Sequence, residues 1–256
     1  MRRHTSVLML FARSSFYKVL GVLAAMTAAE CGIFYLTLRN GAEEIAQGAV
    51  GLEHLIALQS FVYVLSILAV LYVLARVGDG SGSREGYTLR RLGISEKAVV
   101  LWQWAYNTGC LLFVWMVQAM VAVGLCFWYL QVAPSGLVNH QTMVLAFYNN
   151  EFLHRLIPLS DFWSWVMILT VLPAFGLSAA RGSYVRRWSS TGKSVSWWTV
   201  WTIWTIWEFL KRGFIGDPGS ADVIIVLVGV MIMAANLFMI LRKGVEDDEE
   251  KPEADA

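Results

Sequence analysis

Charged residues are scarce in this chain. Asp, Glu, Lys and Arg make up 15% of its 256 residues, whereas hydrophobic residues make up 57%. A typical soluble domain has about 25% charged and about 45–50% apolar residues. The net charge is only +1, and the cations are dispersed, which excludes the basic face of a nucleic-acid-binding protein. The composition therefore predicts a membrane protein with no nucleic-acid partner.

Cysteine and histidine are also few. Cys31, Cys110 and Cys126 all lie inside apolar runs, and no two of them form a Cys-x-x-Cys pair. This spacing favours neither a disulfide framework nor a zinc site. The four histidines form no cluster in the sequence. We therefore expect no metal and no cofactor.

Two short motifs are similar to known signatures, but each lacks a residue that its signature requires. Residues 191–194 (Thr-Gly-Lys-Ser) match the end of a nucleotide-binding P-loop, yet Arg187 stands where that motif has its first Gly. The pair Glu43-Glu44 is similar to the paired glutamates of CAAX-type intramembrane proteases, yet Gly48 replaces the Arg of that pattern. We therefore predict neither ATP binding nor a catalytic residue in this chain.

The apolar runs predict an all-α fold, that of a polytopic integral membrane protein with six transmembrane helices. Residues 1–245 form a single domain, and residues 246–256 form an acidic, disordered tail. Residues 1–17 mix cations with apolar side chains, which is typical of a helix lying in the membrane interface. The six predicted spans are approximately residues 18–38, 55–75, 98–130, 162–180, 196–214 and 223–241.

The distribution of Lys and Arg predicts the orientation. Of the 20 Lys and Arg, all but Arg39, Arg155, Lys211 and Arg212 fall on the side of the termini. By the positive-inside rule, both termini are cytoplasmic in a multi-pass protein of the cell (plasma) membrane. Residues 131–159 are then the longest segment on the outer side, and apolar residues at helical spacing predict that it forms a helix on the membrane surface.

A charged stretch, residues 84–93, lies between the second and third spans. It carries too many charges for a bilayer interior, and the Gly/Ser-rich residues 78–83 before it form a flexible linker. Ser95 is positioned to cap a helix, and Glu96 falls in its first turn, where the helix dipole favours an anion. Residues 98–130 contain no charge, so they predict a helix about 50 Å long that follows the charged stretch.

Glu30 lies near the middle of the first predicted span, where an unpartnered carboxylate costs about 3 kcal/mol or more. Three amides of the third span, Gln103, Asn107 and Gln118, are candidate partners. Two interpretations stay open. Glu30 either lines a candidate translocation path together with these amides, or it forms a hydrogen bond between helices and contacts no substrate.

The six spans, the cytoplasmic termini and the charged stretch before the third span resemble the membrane subunit of an export-type (type-two) ABC transporter. In that family the charged stretch forms a coupling helix that rests on the ATPase. The resemblance implies a separate ABC ATPase subunit, a second copy or a related permease subunit, and no catalytic residue in this chain. It assigns the ATPase-coupling segment to Glu85, Tyr87, Leu89, Arg90, Arg91, Leu92, Ser95 and Glu96.

Two other classes of function share this topology. A polytopic membrane enzyme needs polar residues that converge at one membrane depth, and a membrane sensor or assembly factor transports nothing. The substrate is also open, since nothing in the sequence selects among lipid, peptide, antibiotic and polysaccharide. One difference from the family concerns the outer side, where the long segment follows the third span rather than the fifth.

The orientation predicts the accessibility of single cysteines introduced into a variant whose three native cysteines are Ala. A Cys at Gly82 or Ser190 should resist an impermeant thiol reagent in intact cells, because both positions are predicted to be cytoplasmic. A Cys at Gly41 or Gly219 should react. The opposite labelling pattern would reverse the topology.

Overall fold

The structure is a computed structural model, and it describes residues 2–41, 52, 56, 58–77, 94–133, 140–159, 162–188 and 218–249. Within these residues the regular secondary structure is entirely α-helical, with no strand, as the sequence predicts. The helices are α1 (Arg2–Asn40), α2 (Gln59–Ala75), α3 (Glu96–Val132), α4 (His140–Asn149), α5 (Glu151–Leu156), α6 (Phe162–Trp188) and α7 (Pro218–Glu249).

Three of these helices are long and apolar enough to cross a membrane, over Ser6–Asn40, Glu96–Val132 and Phe162–Arg186. Two shorter apolar helices are Gln59–Ala75 and Ile225–Ile240. Together these five helices coincide with five of the six predicted spans. The other predicted span, residues 196–214, lies outside the described residues.

The predicted interfacial helix and the first predicted span belong to the same helix, α1. It is one continuous helix of 39 residues, because no Gly or Pro interrupts the sequence before Gly21. In its first turns, Val7 and Phe11 are buried against Val77 and Val99. The apolar side chains of this segment therefore pack on the ends of neighbouring helices.

Helix α3 is the centre of the bundle, since it packs against α1, α2, α5, α6 and α7. Its predicted start is confirmed. Ser95 has an extended backbone (φ −60°, ψ 138°) and precedes the first helical residue, Glu96. However, the Ser95 side chain forms no capping hydrogen bond with the backbone of the first turn. The buried face repeats every three or four residues: Val99, Val100, Gln103, Asn107, Cys110, Leu111, Val114, Gln118, Ala122, Leu125, Cys126 and Tyr129.

Helices α6 and α7 run in the same direction. A Cβ added at Gly229 would lie 3.2 Å from Thr170, and further along both helices Arg181 bonds Asn236. Helix α6 is antiparallel to α3, since Trp165 contacts Trp115 while Ser183 bonds Gln103. Helices α6 and α7 therefore both run antiparallel to α3.

Two predicted boundaries were wrong. Helix α6 continues past residue 180 to Trp188, so Arg181 and Arg186 are helical rather than part of a loop. Long Arg side chains allow this, because they place their charge near the end of a span while the helix continues. Helix α7 likewise ends at Glu249, within the acidic stretch that begins at Glu246, and residues 250–256 lie outside the described residues.

The segment that we predicted to lie on the outer side holds two short helices, α4 and α5, rather than the single predicted helix. Asn150 separates them, because its side chain accepts a hydrogen bond from the Leu153 backbone N–H at 3.0 Å and so caps α5. Leu145 and Tyr148 on α4 are exposed, whereas Leu153 is fully buried.

Gly176 brings α6 into close contact with α3. A Cβ at this position would lie 2.6 Å from Thr108 Oγ1 and 3.0 Å from the Thr108 backbone nitrogen. The backbone atom cannot move aside as a flexible side chain would. Gly176 is therefore required by the spacing between these two helices.

We expect Gly176→Ala to destabilise the protein. Overpacking costs about 1–3 kcal/mol, which exceeds the ~1 kcal/mol that Ala gains over Gly in a helix. Gly21→Ala is the matched control, since nothing lies within 4 Å of a Cβ there. Thermal unfolding in detergent should show a lower midpoint for Gly176→Ala alone. An equal or higher midpoint than that of Gly21→Ala would contradict the close contact.

Candidate functional site

The four polar residues that we predicted for a translocation path are all buried. Glu30, Gln103, Asn107 and Gln118 each have no exposed surface. The three amides belong to the buried face of α3, on which residues recur at helical spacing. All four side chains lie inside the bundle, and their hydrogen-bond partners are described next.

Glu30 pairs with Gln118. The Gln118 side chain donates a hydrogen bond from Nε2 to Glu30 Oε2 at 3.0 Å, which joins α1 to α3. Tyr63 on α2 lies close enough to interact electrostatically with the Glu30 carboxyl group. The remaining oxygens of the pair, Glu30 Oε1 and Gln118 Oε1, are buried and have no hydrogen-bond partner among the described residues. The pair therefore has two unused acceptor atoms.

Gln103 and Asn107 bond to α6 rather than to Glu30. Ser183 Oγ donates to Gln103 Oε1 at 2.8 Å, and Asn107 Nδ2 donates to the Gly176 carbonyl oxygen at 3.1 Å. Gln118 is three turns further along α3 than Asn107, a rise of about 16 Å. The four residues therefore form two separate groups at different depths, and not one continuous row.

Several polar residues of the bundle were not predicted from the sequence. Ser15 and Tyr106 join their hydroxyl groups at 2.9 Å, and Trp104 Nε1 donates to the Pro173 carbonyl oxygen at 2.9 Å. Gln59 is fully buried, and its amide atoms have no hydrogen-bond partner among the described residues. An isolated amide in an apolar run was the available signal for Gln59, whereas the partners of Ser15 and Trp104 depend on tertiary packing.

Two arginines that lie beyond the predicted end of the fourth span also join helices. Arg181 Nη1 donates to Asn236 Oδ1 at 2.9 Å, which ties α6 to α7. Arg186 Nη2 donates to the Ala75 carbonyl oxygen at 2.7 Å, at the end of α2. This bond places the end of α6 beside the end of α2, on the side of the bundle where α1 and α3 begin.

The predicted coupling segment is described only at its end. Glu85, Tyr87, Leu89, Arg90, Arg91 and Leu92 lie outside the described residues. Ser95 and Glu96 begin α3 directly, and Val99 in the first turn packs against Phe11 and Val77. Helix α3 therefore begins at the end of the bundle where α1 begins and α2 ends.

No protein-family model, no curated protein and no solved structure matches this chain. Within the part of the chain that the structure describes, no group of three or more His, Cys, Asp or Glu residues could hold a metal ion. The function therefore has to be argued from the packing of the helices and from the buried polar groups.

The bond between Gln103 and Ser183 predicts a measurable coupling between α3 and α6. A double-mutant cycle with Gln103→Leu and Ser183→Ala should give a coupling free energy of about 0.6–1.7 kcal/mol, as for other hydrogen bonds between membrane helices. Thermal or denaturant unfolding in detergent supplies the four stabilities. A coupling of zero would show that the two side chains do not interact.

Proposed function

We propose that this chain is the transmembrane permease subunit of an ABC transporter, in which a separate ATPase subunit drives the export of a substrate. The observation that carries the proposal is the position of α3. This helix starts directly after the charged stretch and packs against α1, α2, α5, α6 and α7. A force applied to the charged stretch would therefore reach every one of these helices through α3.

The proposed topology has six spans with both termini in the cytoplasm. Five apolar helices overlap five of the predicted spans, and three of them are long enough to cross a membrane. The parallel direction of α6 and α7 supports the remaining predicted span, residues 196–214. Two neighbouring parallel helices of one chain need a connection that crosses back over the thickness of the bundle. Residues 196–214 have the apolar composition that such a return through lipid requires. The excess of Lys and Arg at the starting end of α1 and α3 supports a cytoplasmic location for that end.

The proposed coupling segment runs from Glu85 to Glu96 and docks onto the ATPase. Its arginines supply charge, while Tyr87, Leu89 and Leu92 supply apolar anchors. Protein interfaces concentrate their binding energy in aromatic and Arg residues. The Gly/Ser-rich linker separates this segment from α2, so that its displacement acts on α3.

A second copy, or a related permease subunit, completes the proposed transporter. The described helices of one chain pack around α3 with fully buried polar side chains, so a substrate path needs a further surface. One face of α1 suits a close helix partner, since Gly21, Ala25, Ala28 and Gly32 are small and exposed. Membrane lipid covers the remaining apolar surface.

The coupling segment is tested by replacing its apolar anchors. The double variant Tyr87→Ala and Leu89→Ala should insert and fold normally, yet lose co-purification with the P-loop ATPase and its stimulated ATP hydrolysis. Attraction of Arg90 and Arg91 to lipid phosphates is unaffected by these changes. The measurement is ATP hydrolysis by the complex purified in mild detergent, together with the amount of bound ATPase.

Leu145→Ala combined with Tyr148→Ala is the matched control. It removes the same two residue types from exposed positions on α4, at the opposite end of the bundle. The control should keep both association and ATP hydrolysis. Full association and full activity in the Tyr87/Leu89 variant would place the coupling surface elsewhere, and the absence of any ATP-hydrolysing partner would contradict the proposed function.

A further inference from the structure

Glu30 has no neutralising cation among the described residues. Helix α2 contains no charged residue, and α3 contains none beyond Lys97. The nearest cations on α1, Lys18 and Arg39, are more than two turns away along the helix. Glu30 is nevertheless fully buried between α1 and α3. Among the described residues, an ionised carboxylate in this position would therefore have no opposite charge beside it.

The other described elements near the pair are α2 and α5. Helix α5 approaches through Phe152, whose ring lies 6.1 Å from that of Tyr63 on α2. Its basic residues are His154 and Arg155. Tyr63 is the titratable side chain that α2 presents to the carboxyl group. Within the described residues, Gln118 alone forms a hydrogen bond with Glu30.

Two acceptor oxygens of the pair have no partner among the described residues, which indicates that the pair lacks a hydrogen-bond donor. Glu30 Oε1 and Gln118 Oε1 both need a donor, and they belong to the two groups already joined by the bond from Gln118 Nε2 to Glu30 Oε2. A carboxylic acid and a primary amide can form two parallel hydrogen bonds, because each group has one donor and one acceptor side by side. One proton on the carboxyl group would therefore make Glu30 Oε1 a donor and give Gln118 Oε1 the partner that it lacks among the described residues.

We propose that Glu30 and Gln118 form a proton-binding site between α1 and α3, in which the acid O–H on Oε1 donates to Gln118 Oε1. The proton comes from water, and its uptake converts the carboxylate to the neutral acid. Because the pair has no exposed surface, the proton exchanges with water only when α1 separates from α3. This site exists whether or not the chain transports a substrate. In a transporter, each such opening would release or capture a proton.

Infrared difference spectroscopy of the full chain in lipid nanodiscs tests the site. The carbonyl stretch of a protonated carboxyl group should be present at neutral pH and should disappear in Glu30→Gln. Gln118→Leu should shift the band to higher frequency, because the acid loses its hydrogen-bond partner. Gln103→Leu is the matched control, since it removes another fully buried amide of α3 and should leave the band unchanged. The exchanged pair, Glu30→Gln with Gln118→Glu, should restore a protonated carboxyl band.

Thermal unfolding distinguishes a site that binds a proton from a site that binds a metal cation. Glu30→Gln should unfold at the same temperature as the natural chain or higher, because two amides can form the same pair of bonds. The natural chain should lose stability relative to Glu30→Gln as the pH rises, since folding then requires uptake of a proton. A carboxylate band at neutral pH would overturn the proposal. So would an unfolding temperature that rises with Na⁺ or K⁺ in the natural chain but not in Glu30→Gln.

Discussion

Polar side chains inside this bundle have to find partners on neighbouring helices, because the surrounding apolar residues offer neither water nor counter-charges. Helix α3 meets this constraint with three amides on one buried face. Gln118 binds α1, while Gln103 and Asn107 bind α6. These bonds require defined helix partners, which apolar packing alone would not select. The arrangement of the other helices around α3 depends on them.

Much of the helical framework could be predicted from the sequence, because long uncharged runs leave few alternatives to a membrane helix. The start of α3 follows from the charges that end at Lys97. The ends of α6 and α7 could not be predicted in this way. Arg181 and Arg186 mark the edge of a span by charge, but a helix continues for as long as its backbone bonds are satisfied, and both arginines find partners on other helices.

The candidate site was predictable only as a set of residues. A lone Glu in an apolar run signals a partner, and Gln118 was one of three amides at suitable positions. Choosing between them requires the relative rotation and depth of α1 and α3, which the sequence pattern does not contain. The same limit applies to Gly176, because a small residue in an apolar helix indicates a close approach without naming Thr108 as the neighbour.

The contact between Gly176 and Thr108 also restricts how α3 can move. The added Cβ would meet a backbone nitrogen at 3.0 Å, so the two helices cannot approach further at this point. Protein interiors that are packed this closely have low compressibility and transmit strain. The first turn of α3 lies on one side of this contact, and Gln118 lies about 15 Å away on the other side. The bond between Gln103 and Ser183 before this contact, and the ring contact between Trp115 and Trp165 after it, tie α3 to α6 on both sides, so in the proposed transporter a displacement of the coupling segment would act on α3 and α6 together.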